Sequence, residues 1–527
     1  MINTLKKNTG SYYTCNTIAD YIVKWAIDMP EARVLEPSFG DGIFINSAIA
    51  RYSELGNQQP SIIGVEIQDE PFNTFVQAHP KITGYKMDFM DFRVNLRINA
   101  VIGNPPYVSL KNLKQSEREK ALQLVSSYGI KMQTSGSLWM PFVIHATEIL
   151  EQNGKLGFVL PYEITHVRYA FDLWKYLSAN YGKITICRIF YDFFPDVDVE
   201  TIVLLAERKG EKTNTVCYKV FKTITDLYND NADIESNIPI RDILNMSKPF
   251  ECKLITSYTT SFLDNLRKNG KLSSLVEDCK FKIGYVSGNK GYFHLSSEDL
   301  FRLKIRKKNA KKCLINAKQI TTNMNIGLET NTITDHSYLF YPSSLYNGEK
   351  QYISYGESQG VDKGYKCRNR KPWYLTPGLE IPDFVLTVFG DVPKLLLNNG
   401  KFFVSNSLLG GFSKIENTKE LICRWYNSLT LLSVEMVIHS LGGGTLVLIP
   451  GETDKLEIIS DFPSYNIESV YDKLSTFAKT HTTAEVYEFG DTIVLKELYG
   501  FSDRDILNIK KSIQTLRSWR SPDKRRN

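Results

Sequence analysis

Two domains of different class are predicted: a doubly wound α/β domain of seven strands with helices on both sheet faces over residues 1–245, and a mixed α+β domain over residues 246–527. Three observations predict them. Short β-branched or apolar runs alternate with helix-period segments as far as about Gly210, which is the rhythm of a doubly wound sheet. The first such run ends in a glycine-bearing turn and then a helix, as a sheet does where it holds a ligand at the carboxyl ends of its strands. Polar residues then take over at Asp226–Asp242, and beyond Met246 the pattern turns irregular and rich in Gly, Asn, Tyr and Ser.

In chain order, strands are expected at Ala32–Glu36, Ser61–Glu66, Ile82–Met87, Ala100–Gly103, Lys155–Pro161, Ile184–Phe190 and Thr201–Arg208. Helix periodicity falls between them at Thr17–Ile27, Ile43–Tyr52, Ser116–Val125 and Leu138–Gln152. In the second half helices are expected to be few until Thr418–Ile438, with a last one at Ser502–Trp519. No internal repeat or low-complexity tract interrupts the chain.

At 527 residues the chain exceeds one ordinary core. Its 42% hydrophobic and 23% charged residues exclude the disordered and fibrous classes. No run approaches the roughly 18 apolar residues of a membrane span, and MINTLKKNTG lacks the apolar stretch of a secretion signal, so a cytoplasmic location is expected. The eight cysteines are scattered without C-x-x-C or zinc spacing, so free thiols and no metal are expected. The net charge of +6 is mild, but basic residues crowd at Lys304–Lys312, Lys363–Lys371 and Arg517–Arg526. A solvated face and a phosphate contact account equally well for such runs.

The most informative segment is Ala100-Val-Ile-Gly-Asn-Pro-Pro-Tyr107, an apolar strand ending in a diproline corner. Two prolines cannot continue a sheet, so the backbone must leave it in a stiff extended loop. Such a loop suits an acceptor whose nitrogen lone pair is delocalised into a ring, as in adenine N6. Asn104 Oδ1 and the Pro105 carbonyl can hold both N–H bonds and favour a more tetrahedral nitrogen. Pro106 stiffens the corner, and Tyr107 offers a ring on which an extruded base can stack. A plain turn with a core tyrosine is the competing reading.

Earlier, Arg33-Val-Leu-Glu-Pro-Ser-Phe-Gly-Asp-Gly-Ile-Phe44 runs from strand through glycines into helix. It is neither G-x-G-x-x-G nor a Walker loop, and acidic Glu36 suits a cofactor with a cationic amino-acid part better than one with a pyrophosphate. Glu66 closes the second strand, placed to accept from ribose hydroxyls. Asp88 and Phe89 close the third, placed for an adenine amino group and an adenine face. Solvated caps explain any one of these; four strand ends in order are harder to assign to chance.

Together these segments resemble the gamma class of amino-methyltransferases, which includes the TaqI-like adenine enzymes. The resemblance covers most of Thr9–Arg208. Thr9-Gly-Ser-Tyr-Tyr-Thr14 looks like the N-terminal cofactor motif, Leu35–Gly42 the first motif and Asn104–Tyr107 the catalytic one. Cys15 stands where the family usually has proline. The resemblance implies a Rossmann-like methyltransferase sheet and S-adenosylmethionine surrounded by Tyr13, Thr14, Glu36, Phe39, Gly40, Glu66, Asp88, Phe89 and Asn104. It also implies stacking of the flipped adenine by Phe194 of Tyr191-Asp-Phe-Phe-Pro195, opposite Tyr107. Ser135–Phe142 resembles a further cofactor-pocket motif, though a core helix with Trp139 and Phe142 inward fits equally. His145 and His166 are expected to be structural.

In the second half, Phe281–Lys290, Lys366–Tyr374 and Leu441–Leu446 resemble landmarks of target-recognition domains of restriction-modification adenine methyltransferases. Arg368, Arg370 and Lys371 are candidates for contact with double-stranded DNA, while Trp373 and Tyr374 would serve a scaffold equally well. The expected activity is site-specific adenine-N6 methylation of duplex DNA by a monomer, alongside a cognate restriction endonuclease or as an orphan modification enzyme. The alternatives are methylation of RNA adenine or protein glutamine, and an inactive DNA-binding specificity protein.

Overall fold

The computed structural model describes residues 14–190, 200–245, 248–320, 326–329, 337–390, 392–441 and 445–520. The chain divides into two compact units, Met1–Leu254 with Pro522–Asn527, and Ile255–Ser521.

All seven expected strands form in the first unit: β1 (Arg33–Glu36), β2 (Ser61–Glu66), β3 (Thr83–Lys86), β4 (Ile98–Gly103), β5 (Leu150–Pro161), β6 (Tyr181–Ile189) and β7 (Thr201–Lys209). Two more extend the sheet to nine, β8 (Thr215–Phe221) and β9 (Ile234–Pro239), in the order β3-β2-β1-β4-β5-β7-β6-β8-β9. The expected seven-stranded count is therefore corrected. β9 reads IESNIP with mainly half-exposed and exposed residues, so this polar edge strand carries no apolar run to betray it.

β3, β2, β1, β4 and β5 pair in parallel, and β7 then inserts antiparallel between β5 and β6. The strand order reverses between β1 and β4, so the loops that follow these two strands flank the topological switch point. Ala100, Val101 and Ile102 of β4 are at most 1% exposed, as expected of a central strand covered on both faces.

The helices α1 (Asn16–Ala26), α2 (Ile43–Glu54), α3 (Asp69–Ala78), α4 (Gln115–Ser127), α5 (Trp139–Ile149) and α6 (Phe171–Asn180) connect the strands. The sequence reading missed α3 and α6. α3 fully buries only Phe75 and so lacks a broad apolar stripe. The helix expected to reach Gln152 stops at Ile149, where the backbone turns extended at Leu150 to begin β5. One core packs Ile18, Ile22 and Val23 of α1 and Phe44 and Ala48 of α2 against Val34, Ile62, Ala100 and Ile102 of the sheet. Each such large aliphatic side chain contributes roughly 1.5–3 kcal/mol by leaving water.

The second unit contains two four-stranded sheets. One runs Cys279–Ile283, Leu408–Ser413, Phe384–Thr387, Leu395–Leu397, and the other His294–Leu295, Ser337–Phe340, Ala310–Leu314, Phe403–Val404. Helices Ser257–Lys268 and Asn347–Ser358 precede the segment expected to be the first long one. That segment is two helices, Thr418–Trp425 and Ser428–Val437. They break at Asn427, whose side chain caps the second by accepting from Thr430 N at 3.1 Å. Asp503–Arg520 forms the expected last helix.

Candidate active site

Gly103, with φ of +151°, takes the chain from β4 into the diproline corner, a backbone angle that favours glycine. A Cβ here would lie 3.5 Å from both Glu36 Cγ and Pro37 Cδ, so the ends of β4 and β1 are in van der Waals contact. Pro105 is buried, while Asn104, Pro106 and Tyr107 are half-exposed. The Asn104 amide nitrogen donates to Thr14 Oγ1 at 3.2 Å, and Ser38 Oγ donates to the Asn104 carbonyl at 3.4 Å. The next turn is tied from outside: Leu138 N and Ser137 Oγ donate to the Val108 carbonyl at 2.8 and 3.1 Å, and Leu110 N donates to Gly136 O at 3.0 Å. The corner is thus held by the entry to α1, the β1 loop and the entry to α5.

Glu36 is 2% exposed, and its Oε2 has no hydrogen-bond partner among the described residues. Burial raises its pKa well above the usual 4.5, and the Asp41 and Glu66 carboxylates add to the rise. A buried carboxylate with an unused acceptor beside the β1–β4 junction is matched to a cationic ligand group, and Gly40 beside it has no atom within 4 Å of a Cβ position. These features fit the ammonium-bearing part of S-adenosylmethionine.

Glu66 is buried, and its carboxylate already accepts from three main-chain amides, Gly40 N, Ile67 N and Gln68 N, each at 2.9 Å. It therefore fastens the β1 loop to the end of β2 and keeps at most a remaining lone pair for a ribose. Asp88 Oδ1 caps the turn after β3 by accepting from Met90 N at 3.0 Å, and its Oδ2 pairs with Lys120 at 3.0 Å.

The two aromatic residues expected at the cofactor both pack against neighbouring rings. Phe39 packs on Phe75 of α3 at 4.3 Å between ring centroids, and its Cδ1 would be 2.8 Å from a Cβ on Gly64, so it fills the layer between β2 and α3. Phe89 is 2% exposed and packs on Phe142 and His145 at 5.0 and 4.8 Å. Trp139 is fully buried and donates to Glu163 at 3.0 Å, so this helix is core as one of the two readings held. His145 is buried and its pKa is lowered to about 4 by that burial, which leaves it a neutral packing residue at pH 7. Ile67, just after β2, exposes its apolar side chain at 61%. Tyr13 and Phe194 lie outside the described residues.

In the second unit, Arg370 donates to the main-chain carbonyls of Ser287 at 2.9 Å and Val286 at 2.6 Å. It braces a loop, which its expected DNA-contact role did not include. Arg368 and Lys371 are exposed. Trp373 packs on Tyr292 at 5.5 Å in an aromatic cluster, so the scaffold reading of that residue holds. No helix among the described residues is long and apolar enough to cross a membrane, and no cluster of metal-ligating side chains occurs among them.

A reversed strand, β7, inserted in an otherwise largely parallel sheet, with an acidic glycine loop after β1 and a diproline corner after β4, defines the class: a methyltransferase-like α/β fold with an added α+β domain. The structure of MmeI, a Type IIL restriction-modification enzyme in complex with DNA, matches it with a TM-score of 0.53 at 10% identity, over 96% of this chain and 72% of that one. Residues 48–194 match the family model of the Eco57I restriction-modification methylase. Residues 247–495 match that of the C-terminal domain of Type II methyltransferase M.Eco57I. The chain belongs to the Eco57I family of type II restriction-modification methyltransferases.

Among its relatives, M.AccI of Acinetobacter calcoaceticus is 21% identical over 393 residues, covering 70% of this chain and 69% of that protein. M.HincII of Haemophilus influenzae is 27% identical over 256 residues, covering 47% of this chain and 45% of its own length.

Proposed function

We propose that this chain is a site-specific DNA-methyltransferase (adenine-specific), which transfers the methyl group of S-adenosylmethionine to N6 of an adenine flipped out of duplex DNA. Residues 1–245 carry the chemistry and residues 246–527 recognise the target. The observation that carries the reading is the braced corner Asn104–Tyr107 beside the buried, unsatisfied carboxylate of Glu36.

When bound, S-adenosylmethionine supplies a sulfonium methyl that is already electrophilic. Glu36 would hold the ammonium of its amino-acid part, and Thr14 fixes the Asn104 amide by accepting from its side-chain nitrogen. Asn104 Oδ1 and the Pro105 carbonyl then accept the two N6 hydrogens and draw the nitrogen lone pair out of the ring's conjugation. Because neighbouring segments anchor the corner, little reorganisation remains for the reaction itself. Tyr107 and Phe194 stack on the two faces of the extruded base. Duplex DNA is the substrate, a monomer suffices, and a separate endonuclease acting at the same site is the natural partner of such an enzyme.

The test incubates the purified chain with duplex plasmid DNA and methyl-labelled S-adenosylmethionine. N6-methyladenine is expected at one recurrent sequence. Asn104→Ala is expected to lower its rate by at least about 100-fold, as for loss of one preorganised polar group, with cofactor affinity by calorimetry unchanged. Label on cytosine, or full turnover in the variant, would refute the mechanism.

A further inference from the structure

Two segments about 80 residues apart in sequence meet in the second unit. Lys282–Val286 leaves the edge of the first four-stranded sheet, and Lys366–Gly378 faces it across a cleft of about 510 Å³. The contact between them is close at Gly288, where a Cβ would lie 3.0 Å from Lys366 Cβ and 3.2 Å from Cys367 Sγ; its φ of +91° also favours glycine. Gly284 is pressed on the neighbouring strand, with a Cβ position 2.3 Å from the carbonyls of Val404 and Ser405. Together with the Arg370 brace on Val286 and Ser287, these contacts hold the loop in one shape.

The cleft's surface is unusual in two respects. Ile283, at the end of its strand, and Val286, in the loop that follows, line the cleft with apolar side chains exposed at 58% and 37%. Lining the cleft with them are Lys366 and Arg370, neither of which has a carboxylate within ion-pairing distance among the described residues, whereas Lys282 is paired with Glu380 at 2.7 Å. Uncompensated cations flanking a preformed apolar lip are complementary to a polyanion with apolar edges.

We infer that this cleft reads duplex DNA: Lys366 neutralises a phosphate, Ile283 and Val286 contact base edges in the groove, and Arg370 is a positioning residue that presents the lip without touching DNA. This assignment rests on the reading of the chain as a DNA methyltransferase. It moves sequence reading from Arg370, where charge alone would put it, to two aliphatic side chains.

The test uses the full-length protein with S-adenosylmethionine, fluorescent plasmid-derived duplexes for binding across a salt series, and modification sequencing for activity. Lys366→Ala is expected to lower the slope of log affinity against log salt by about one, as for one lost phosphate contact, with Lys268→Ala as the matched control away from the cleft. Arg370→Ala is expected to weaken modification of the preferred site while leaving that slope at its wild-type value. Ile283→Ala with Val286→Ala, at exposed positions that folding tolerates, is expected to reduce modification of the preferred site about ten-fold relative to near-matches. If the wild type modifies DNA but Lys366→Ala keeps the wild-type slope and the double variant keeps its site preference, the cleft assignment is overturned. A slope lowered by Arg370→Ala would overturn its positioning role. A wild type that modifies no DNA would refute the underlying reading instead.

Discussion

Glu36 is held in a state that costs the empty protein stability. Its pKa is raised well above 4.5 by burial and by the nearby carboxylates of Asp41 and Glu66, so the folded chain keeps its proton to higher pH than the unfolded chain does. The unfolded state therefore gains from ionisation as pH rises past 4.5, and folding loses stability over the interval up to the raised folded pKa. Below 4.5 both states are protonated and there is no penalty. Glutamine has no proton to lose, so Glu36→Gln is expected to melt higher than the wild type at pH 7 without cofactor, with the difference vanishing as pH falls towards 4. The same variant is expected to bind S-adenosylmethionine more weakly at pH 7, because it gives up the charge that meets the ammonium. Melting curves across pH and a binding titration check both; a lower melting temperature at pH 7 would remove the assigned cost. At the same scale, Phe39 packs on Phe75 and Phe89 on Phe142, ring contacts that an aromatic residue at a strand end does not announce in sequence.

At the scale of elements, β5, β6 and β7 are joined at one end by a single buried side chain. Arg188, 2% exposed, lies 3.9 Å over the Tyr162 ring, donates to its hydroxyl at 2.9 Å, and donates through Nε to Glu200 at 2.9 Å. Tyr162 follows β5, Arg188 sits near the end of β6, and Glu200 precedes β7. Removing one partner of such a buried pair leaves the other uncompensated, so Arg188→Met is expected to cost about 3 kcal/mol by chemical denaturation, the low end of the usual range because Glu200 retains some solvent. A loss under about 1 kcal/mol would show that the pair is not a structural tie. Six of the seven expected strands carry apolar runs that are mostly buried and were legible for that reason, since strands covered on both faces must be nearly continuous in Val, Ile and Leu, whereas β3 (TGYK) is mostly exposed. β8 and β9 were hidden by their half-polar composition, and α3 and α6 by narrow apolar stripes.

For the molecule as a whole, each unit has a core of its own. One contains Phe44, Tyr52 and Ile102, and the other Tyr292, Phe340 and Tyr352. Unfolding is therefore expected in two calorimetric transitions, with S-adenosylmethionine shifting only one. At a hundredfold excess over its dissociation constant the ligand adds about 2.7 kcal/mol to the unit that binds it. One cooperative transition, or two that move together, would rule out this independence. From residue order alone came the doubly wound sheet, the place of the diproline corner at a strand end, and the acidic glycine loop before it, because burial period and proline's missing N–H act over a few neighbouring residues. Which side chains those elements turn to one another was decided only by the tertiary structure. Glu66 fastening Gly40, Thr14 holding Asn104 across 90 residues, and Arg370 bracing Val286 are contacts between segments remote in sequence, and such contacts leave no local period to read.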